Sequence, residues 1–299
     1  MGAFRHTDIR EAVRDALIAR GCTPPESLPA GRWIRLAAPD KRPGNDAIGV
    51  KIADDERVAF IKNFIDGGPA EPVFADRPEN QAERLRQQDA ARRARAKRKA
   101  DGKARQAVAL AECDRIWSEA VECDGTAYTR RKGLTGAHDA RWHARRGCLI
   151  VRYVDTDGNT RTLQRINDDG GKRCWPGAPV KGAFVLLGTL DEATPTVLVT
   201  EGFATAATLR EETEHTVVGA MFAGNLLAVC KALRARYPGL AITVAGDDDR
   251  GTAGNPGRTK AIEAAEAVGG LVLMPAFCAS CDGRCSDHND VALCHRGRA

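Results

Sequence analysis

The 299 residues predict an α/β protein: a C-terminal parallel sheet with crossover helices, preceded by a basic α+β module and a long basic helix. Three observations carry this. From Thr196 onward apolar runs alternate with helical patterns four times in about eighty residues, "TVLVT", "ATAATLREE", "TVVGA", "LLAVCKALRARY", "AITVAG", "RTKAIEAAEAV" and "GLVLM", the rhythm of βαβ units. Between Trp33 and Val73 short runs, "RWIRL", "AIGVKI" and "VAFIKNF", are broken by Pro, Gly and Asp, which suits a small antiparallel sheet. Residues 79–112 are rich in Ala, Arg, Lys and Gln and nearly free of Gly and β-branched side chains, so they favour helix.

Composition bounds the classes. Hydrophobic residues make up 43% of the chain, enough for ordinary cores, and the net charge of +5 is modest, so the distribution of charge matters more than its size. Ten cysteines over 299 residues are too sparse for a disulfide scaffold, and the charged N-terminal segment lacks the apolar centre of a signal peptide. A cytoplasmic protein with reduced thiols is expected. No apolar stretch is long enough to cross a bilayer, so no membrane role is expected.

Taken in chain order, Ile9, Val13, Ala16 and Leu17 lie at helical spacing after Thr7, a suitable N-cap, and Gly21 ends the pattern. With the small sheet they make an N-terminal α+β module over 1–78. The basic segment 79–111 reads first as a solvated helical linker, the alternative being a stripe that neutralises phosphates, and composition alone does not choose between them. Over 112–193 the segment "CDRIWSEAVEC" is helical in pattern, and "LIVRYV" and "TRTLQRI" flank "DTDGN", an Asp-Gly turn that predicts a hairpin. Arg152, Arg161, Arg165, Lys172, Arg173 and Lys181 make this subdomain basic. The α/β domain is expected over 194–299.

Ligands of open α/β sheets bind beyond the carboxyl ends of strands. Two of the strands here end in acid: "TVLVT" runs into Glu201-Gly202, and "AITVAG" into Asp247, Asp248 and Asp249. If the second strand lies outside the first, the first and third are neighbours and Glu201 stands beside the aspartates. Asp247 and Asp249, two apart in extended backbone, share a face while Asp248 points away. Grouped carboxylates repel unless a cation neutralises them, and hard oxygen ligands suit Mg²⁺ or Mn²⁺. Further on, "SDHNDVAL" puts Asp287, Asn289 and Asp290 at the start of the last helix, either as a helix cap or as a further edge of the same site.

Glu-Gly after one strand, Asp-x-Asp after a later one and an Asp-rich helix start resemble the TOPRIM domain of topoisomerases, bacterial-type primases and some nucleases. "TEGFATAATL", "AGNL" and "AGDDDRG...NPGRTKAIEAA" resemble the versions in plasmid and phage primases. "YTRRKGL" and the stretch from "LIVRYVDTDGN" to "GAFVLLG" resemble the segment ahead of TOPRIM in conjugative-plasmid primases, and "GRWIRLAAPDKRPGNDAIGVKI" through "FIDGG" is a weaker likeness. The resemblance covers about 112–299 well and most of the remainder weakly.

The resemblance implies a Rossmann-like TOPRIM sheet, with Glu201 as acid/base or metal ligand, Asp247 and Asp249 as Mg²⁺ ligands, and Asp287 and Asp290 completing the pocket. It implies phosphate or template contacts from Arg130, Arg131, Lys132, Arg165, Lys172 and Lys181, although Arg165, Lys172 and Lys181 read equally as surface charge. The expected activity is synthesis of short RNA primers on single-stranded DNA from ribonucleotides, with a replicative helicase or other replication proteins as partners. A metal-dependent nuclease and a non-catalytic nucleic-acid-binding accessory are the alternatives. Tyr128, Tyr153 and Tyr237 lie outside any dedicated cleavage domain, which disfavours topoisomerase chemistry.

Two departures from bacterial chromosomal primases stand out. The first hundred residues contain only Cys22, so no zinc ribbon can be built there. No G-x-x-x-x-G-K-[ST] string occurs, so no fused helicase is expected within these residues. A different zinc site is a candidate near the C-terminus, where Cys278, Cys281, Cys285 and Cys294 supply four thiols within seventeen positions, a flexible Cys-rich loop being the alternative.

Overall fold

The computed structural model describes residues 8–39, 45–65, 68–75, 81–278 and 285–297. It divides into two compact units, Met1–Lys103 and Ala104–Ala299.

In the first unit, helix α1 (Ile9–Ile18) precedes a four-stranded antiparallel sheet, β1 (Ile34–Leu36), β2 (Ile48–Ile52), β3 (Val58–Asn63) and β4 (Glu71–Phe74), in that order. Asp8 caps α1 by accepting from Arg10 N–H at 2.8 Å; Thr7 lies outside the described residues. Ile9, Val13 and Leu17, one helical face, pack with Val50, Ile52, Ala59 and Ile61 from one side of the sheet. The expected small antiparallel sheet is therefore present.

Helix α2 (Gln81–Glu119) runs unbroken through both the basic segment and most of "CDRIWSEAVEC". Two features differ from the sequence reading. Residue 111 marks no break, because Ala and charged residues sustain helix on both sides of it. The helix also stops at Glu119, and Val121–Glu122 instead form strand β5, paired with β6 (Arg141–His143).

The second unit contains two sheets. The first is antiparallel, in the order β5, β6, β7 (Cys148–Val154), β8 (Thr160–Asn167) and β9 (Lys172–Cys174), with the short helix α3 (Ala127–Arg131) between β5 and β6. The expected hairpin is β7–β8, turned through Gly158 at φ +81°. The other sheet has the order β10 (Val185–Leu187), β12 (Thr216–Gly219), β11 (Thr196–Thr200), β13 (Ala241–Ala245) and β14 (Leu271–Leu273). Strands β11 to β14 are parallel, and β10 is antiparallel to β12. The sheet therefore begins ahead of residue 194, with a three-residue edge strand too short to leave a pattern.

Helices α4 (Phe203–Thr213), α5 (Leu226–Arg236), α6 (Pro256–Glu266) and α7 (His288–Arg296) complete the unit. Val197, Val199, Val218 and Val244 pack with Val229, Leu233, Ala261 and Ala264 of α5 and α6. Leu198 and Val217, from the opposite face, join Phe203 and Ala206 of α4 in one core with Leu149, Val151, Tyr153 and Ile166 of the antiparallel sheet. Both faces of the parallel sheet are thus covered, which is why its strands are runs of Val, Leu and Ile and not alternating patterns. The C-terminal end of α2 closes the other side of the antiparallel sheet through Cys113 and Ile116 against Cys148, Ile150 and Leu163. No helix among the described residues is long and apolar enough to cross a membrane.

Candidate functional site

Strands β11 and β13 are direct neighbours, Thr200 opposite Ala245, so the residues that follow them emerge side by side. Glu201 leaves β11 one residue before Gly202 caps α4. Its carboxylate accepts a backbone hydrogen bond from Ala223, yet burial, Asp249 and Asp287 raise its pKa above the ordinary value.

Beyond β13 the three aspartates divide. Asp248 turns inward: it is buried, its N–H donates to Ser286 O at 2.7 Å, and its Oδ1 accepts from Asn255 Nδ2 at 2.5 Å. Asp249 Oδ2 accepts from Gly257 N–H at 2.9 Å, and Asp249 N–H donates to Asn255 Oδ1 at 2.9 Å. Asp247 carries the strain of the site. Its Oδ1 is buried without a hydrogen-bond partner. Burial, with Glu201, Asp287, Asp249 and Asp290 around it, pushes its pKa up to about 8.

Asp287 caps α7, its side chain accepting from Asp290 N–H at 2.7 Å, while burial raises its pKa. Asp287 is thus a helix cap whose charge also bears on Asp247 and Glu201. Asp290 is held by Ser286 N–H at 3.1 Å and lies 3.6 Å from Lys132 Nζ. Between them, buried Asn289 donates to Lys132 O at 2.7 Å and to Thr208 Oγ1 at 2.8 Å, tying α7 to the end of α3 and to α4.

Lys132 and Lys172 face the clustered acids, and Arg250 stands 4.0 Å from Asp248. Lys132 pairs with Asp290, and Lys172, exposed on β9, interacts with Asp287, Asp247 and Glu201, while partial desolvation of its amine lowers its own pKa. Arg131 turns aside to Asp168 O at 2.6 Å and stands 5.9 Å from the Tyr128 ring. Arg130 precedes it in the last turn of α3. Arg165 sits opposite Ile150 and Arg173 in the sheet register, on the face away from that of Lys172 and Ile166. Lys181 is exposed, next to Gly182, whose N–H donates to Asn225 Oδ1 at 2.8 Å. The acids thus gather with Lys132 and Lys172, and Arg165 does not join them.

The donor set suits a hard divalent cation: five carboxylates, one with an orphaned buried oxygen and a raised pKa. Among the described residues, however, no three His, Cys, Asp or Glu side chains stand in a ready-made metal-binding group. Mg²⁺ needs no such cage, because it commonly keeps several waters and takes one or two carboxylates plus substrate phosphates. At the C-terminus Cys278 Sγ and Cys294 Sγ are 3.7 Å apart and Cys285 Sγ approaches Asp290 O at 3.8 Å; Cys281 lies outside the described residues.

The sequence reading passed over Asn255 and Gly257. Asn255 takes φ +40°, bonds Asp248 and Asp249, and caps α6 ahead of Pro256. A Cβ on Gly257 would meet Asp247 O at 2.8 Å and Asp249 Oδ2 at 2.9 Å. Their signal is Asn-Pro-Gly right after the acids: a cap, a Pro at N1 and a residue that allows close approach. Asn225, also missed, donates to Ala183 O and Ala220 O at 2.9 Å each and so anchors the entry to β10.

No protein-family model matches the chain. It is 42% identical over 158 residues to a DNA primase TraC of Escherichia coli, an overlap of 51% of this chain and 15% of the relative. A second Escherichia coli DNA primase TraC is 37% identical over 158 residues, 51% of this chain and 11% of the relative. Among solved structures, the DnaG primase catalytic domain bound to ssDNA overlaps 65% of this chain and 77% of its own, at 14% identity and a TM-score of 0.44, a level that fixes neither fold nor chemistry. Over about half its length, then, the chain is a relative of Escherichia coli DNA primase TraC, of whose full length it spans only a small part.

Proposed function

We propose that the chain is a DNA primase-like nucleotidyltransferase that makes short RNA primers on single-stranded DNA with Mg²⁺ or Mn²⁺, in plasmid or phage replication or transfer. The observation that carries the reading is the buried, unpartnered Asp247 oxygen among Glu201, Asp249, Asp287 and Asp290 at the carboxyl ends of adjacent strands. The kinship with DNA primase TraC over half the chain supports the reaction class.

A divalent ion, when bound, would neutralise these carboxylates and the charge that develops at an incoming nucleotide's α-phosphate and pyrophosphate. Glu201 and Asp247 would hold it, and Asp249, fixed by Gly257 N–H, would keep the cluster's geometry. Lys172 and Lys132 would meet the nucleotide's phosphates, since both stand beside the acids and Lys172 is open to an incoming anion. Arg130, Arg131, Arg165 and Lys181 would contribute template contacts. The protein supplies position and charge, not a covalent nucleophile.

TOPRIM is the fold family we assign to the second unit's parallel sheet. A nuclease would use the same acids with water in place of the sugar hydroxyl. Incubation with single-stranded DNA, four ribonucleotides and Mg²⁺ separates the two, new oligomers for one and shortened DNA for the other.

Cys278 and Cys294 are our candidates for two ligands of a structural zinc ion. At Zn–S of about 2.3 Å, two thiolates of a tetrahedral site stand about 3.8 Å apart, close to the 3.7 Å between Cys278 and Cys294. With Cys281 and Cys285, such a site would pin α7, and with it Asp287 and Asp290, to the end of β14.

A further inference from the structure

The N-terminal sheet buries one face and leaves the other open. Ile34, Val50 and Ile61 lie in register on the buried side with α1, and Glu71, on that side too, pairs with Arg20. On the open side the rows are Arg35–Gly49–Lys62, Lys51–Phe60–Pro72 and Val58–Phe74. None of the strand residues on this face is acidic.

Of the aromatic side chains on or beside this face, Phe60 is half-buried and Trp33, Phe64 and Phe74 are exposed. Trp33 and Phe64 are each 42% exposed, and Phe74 is 69% exposed. Trp33 and Phe64 meet edge to face at 6.0 Å between ring centroids. Both lie over Gly49, where a Cβ would stand 2.6 Å from the Phe64 ring and 3.1 Å from the Trp33 ring. The missing side chain lets the rings lie down on the strand. Arg35 stacks over Phe64 at 3.6 Å, and Lys62 stands 5.3 Å from the same ring.

Burial does not explain large aromatics left in water, and cations packed on them make poor contacts for an apolar partner. Exposed rings interleaved with cations on a sheet face whose strands present no acid instead match what unpaired bases and their phosphates need: flat apolar faces to stack on, and positive charge alongside. We propose that this open face binds single-stranded nucleic acid, with Trp33 and Phe64 stacking bases and Arg35, Lys51 and Lys62 taking phosphates. The surface lies in the first unit, and the acids belong to the second.

The test uses the whole chain with labelled oligothymidylate and oligouridylate, the two strands distinguishing DNA from RNA, and with iodouracil-substituted versions of each for photo-crosslinking. Crosslinks are expected at Trp33 or Phe64, and Trp33→Ala with Phe64→Ala should weaken binding at least about tenfold, given the size of base–aromatic stacking. If that pair fails to fold, Arg35→Ser with Lys62→Ser serves: the slope of log affinity against log salt should fall by about 1.4 for two lost phosphate contacts. Crosslinks confined to residues 104–299, or unchanged affinity in correctly folded variants, would overturn the proposal. Competition by polyglutamate without any crosslink would also overturn it, in favour of an acidic protein partner. Asp247→Asn should leave these crosslinks in place, so a failure of primer synthesis and a failure of this surface are separate results.

Discussion

The N–H of Gly257 donates to Asp249 Oδ2 at 2.9 Å, so the first turn of α6 and the end of β13 lock together where the acids emerge. The same contact leaves no room for a side chain, since a Cβ there would meet the carbonyl of Asp247 at 2.8 Å.

Gly257→Ala should therefore shift Asp247 and Asp249. We expect a destabilisation of about 1–3 kcal/mol, as for other overpacked sites, seen as a melting point lower by about 2–4 °C per kcal/mol. Nucleotide transfer should fall further than stability alone explains. A variant with parental melting and activity would show that the strand end tolerates the added methyl.

Stability should also respond to pH through Asp247. Its pKa is about 8 in the folded chain and about 3.9 in an unfolded one. Between those values the folded state keeps a proton that the unfolded state has released, so metal-free stability declines as pH rises from about 4 to about 8. Asp247→Asn removes that loss. Its melting point should exceed the parent's by the widest margin near pH 8, the gap closing toward pH 4, and Mg²⁺ should raise the parent's melting point and not the variant's. Calorimetry across that range checks both, and a constant gap would contradict the burial argument.

Lys172→Met separates phosphate binding from metal binding. The cation faces Asp287, Asp247 and Glu201, so its loss should not weaken the hold of the acids on Mg²⁺. The KM for ribonucleotides should rise about tenfold or more, on the scale of one lost charge-assisted contact. Kinetics in nucleotide and Mg²⁺ titrations report the two effects, and a change confined to the metal titration would remove Lys172 from nucleotide binding.

For the cysteines, elemental analysis of purified protein should return about one zinc per chain. Cys278→Ser and Cys294→Ser should each lose it and loosen α7, lowering the melting point. Metal-free protein with a Cys278–Cys294 disulfide would be the contrary result.

Much of this was legible in the sequence because βαβ rhythm and acids at strand ends are local signals. The runs ending at Thr200 and Ala245 announced buried parallel strands, and their pairing followed from one topological condition, that the strand at Thr216 lies outside. Not every edge strand was legible: Val185–Leu187 has three residues and owes its state to pairing with Val217 and Gly219. Facing was only partly legible. Arg165 and Lys172 look alike in a string of basic residues, and only the register puts them on opposite faces. Nor could spacing identify the partners of Asn289, since Lys132 and Thr208 lie 157 and 81 positions away.

Incorporation of labelled ribonucleotides on single-stranded DNA, with Mg²⁺ titrated, tests the central claim most directly when the parent is run beside Glu201→Gln and Asp247→Asn. The account predicts short RNA products from the parent that require Mg²⁺ and fall by about 10²–10³-fold in each variant. Equal product from parent and correctly folded variants, or shortened DNA in place of new RNA, would contradict it.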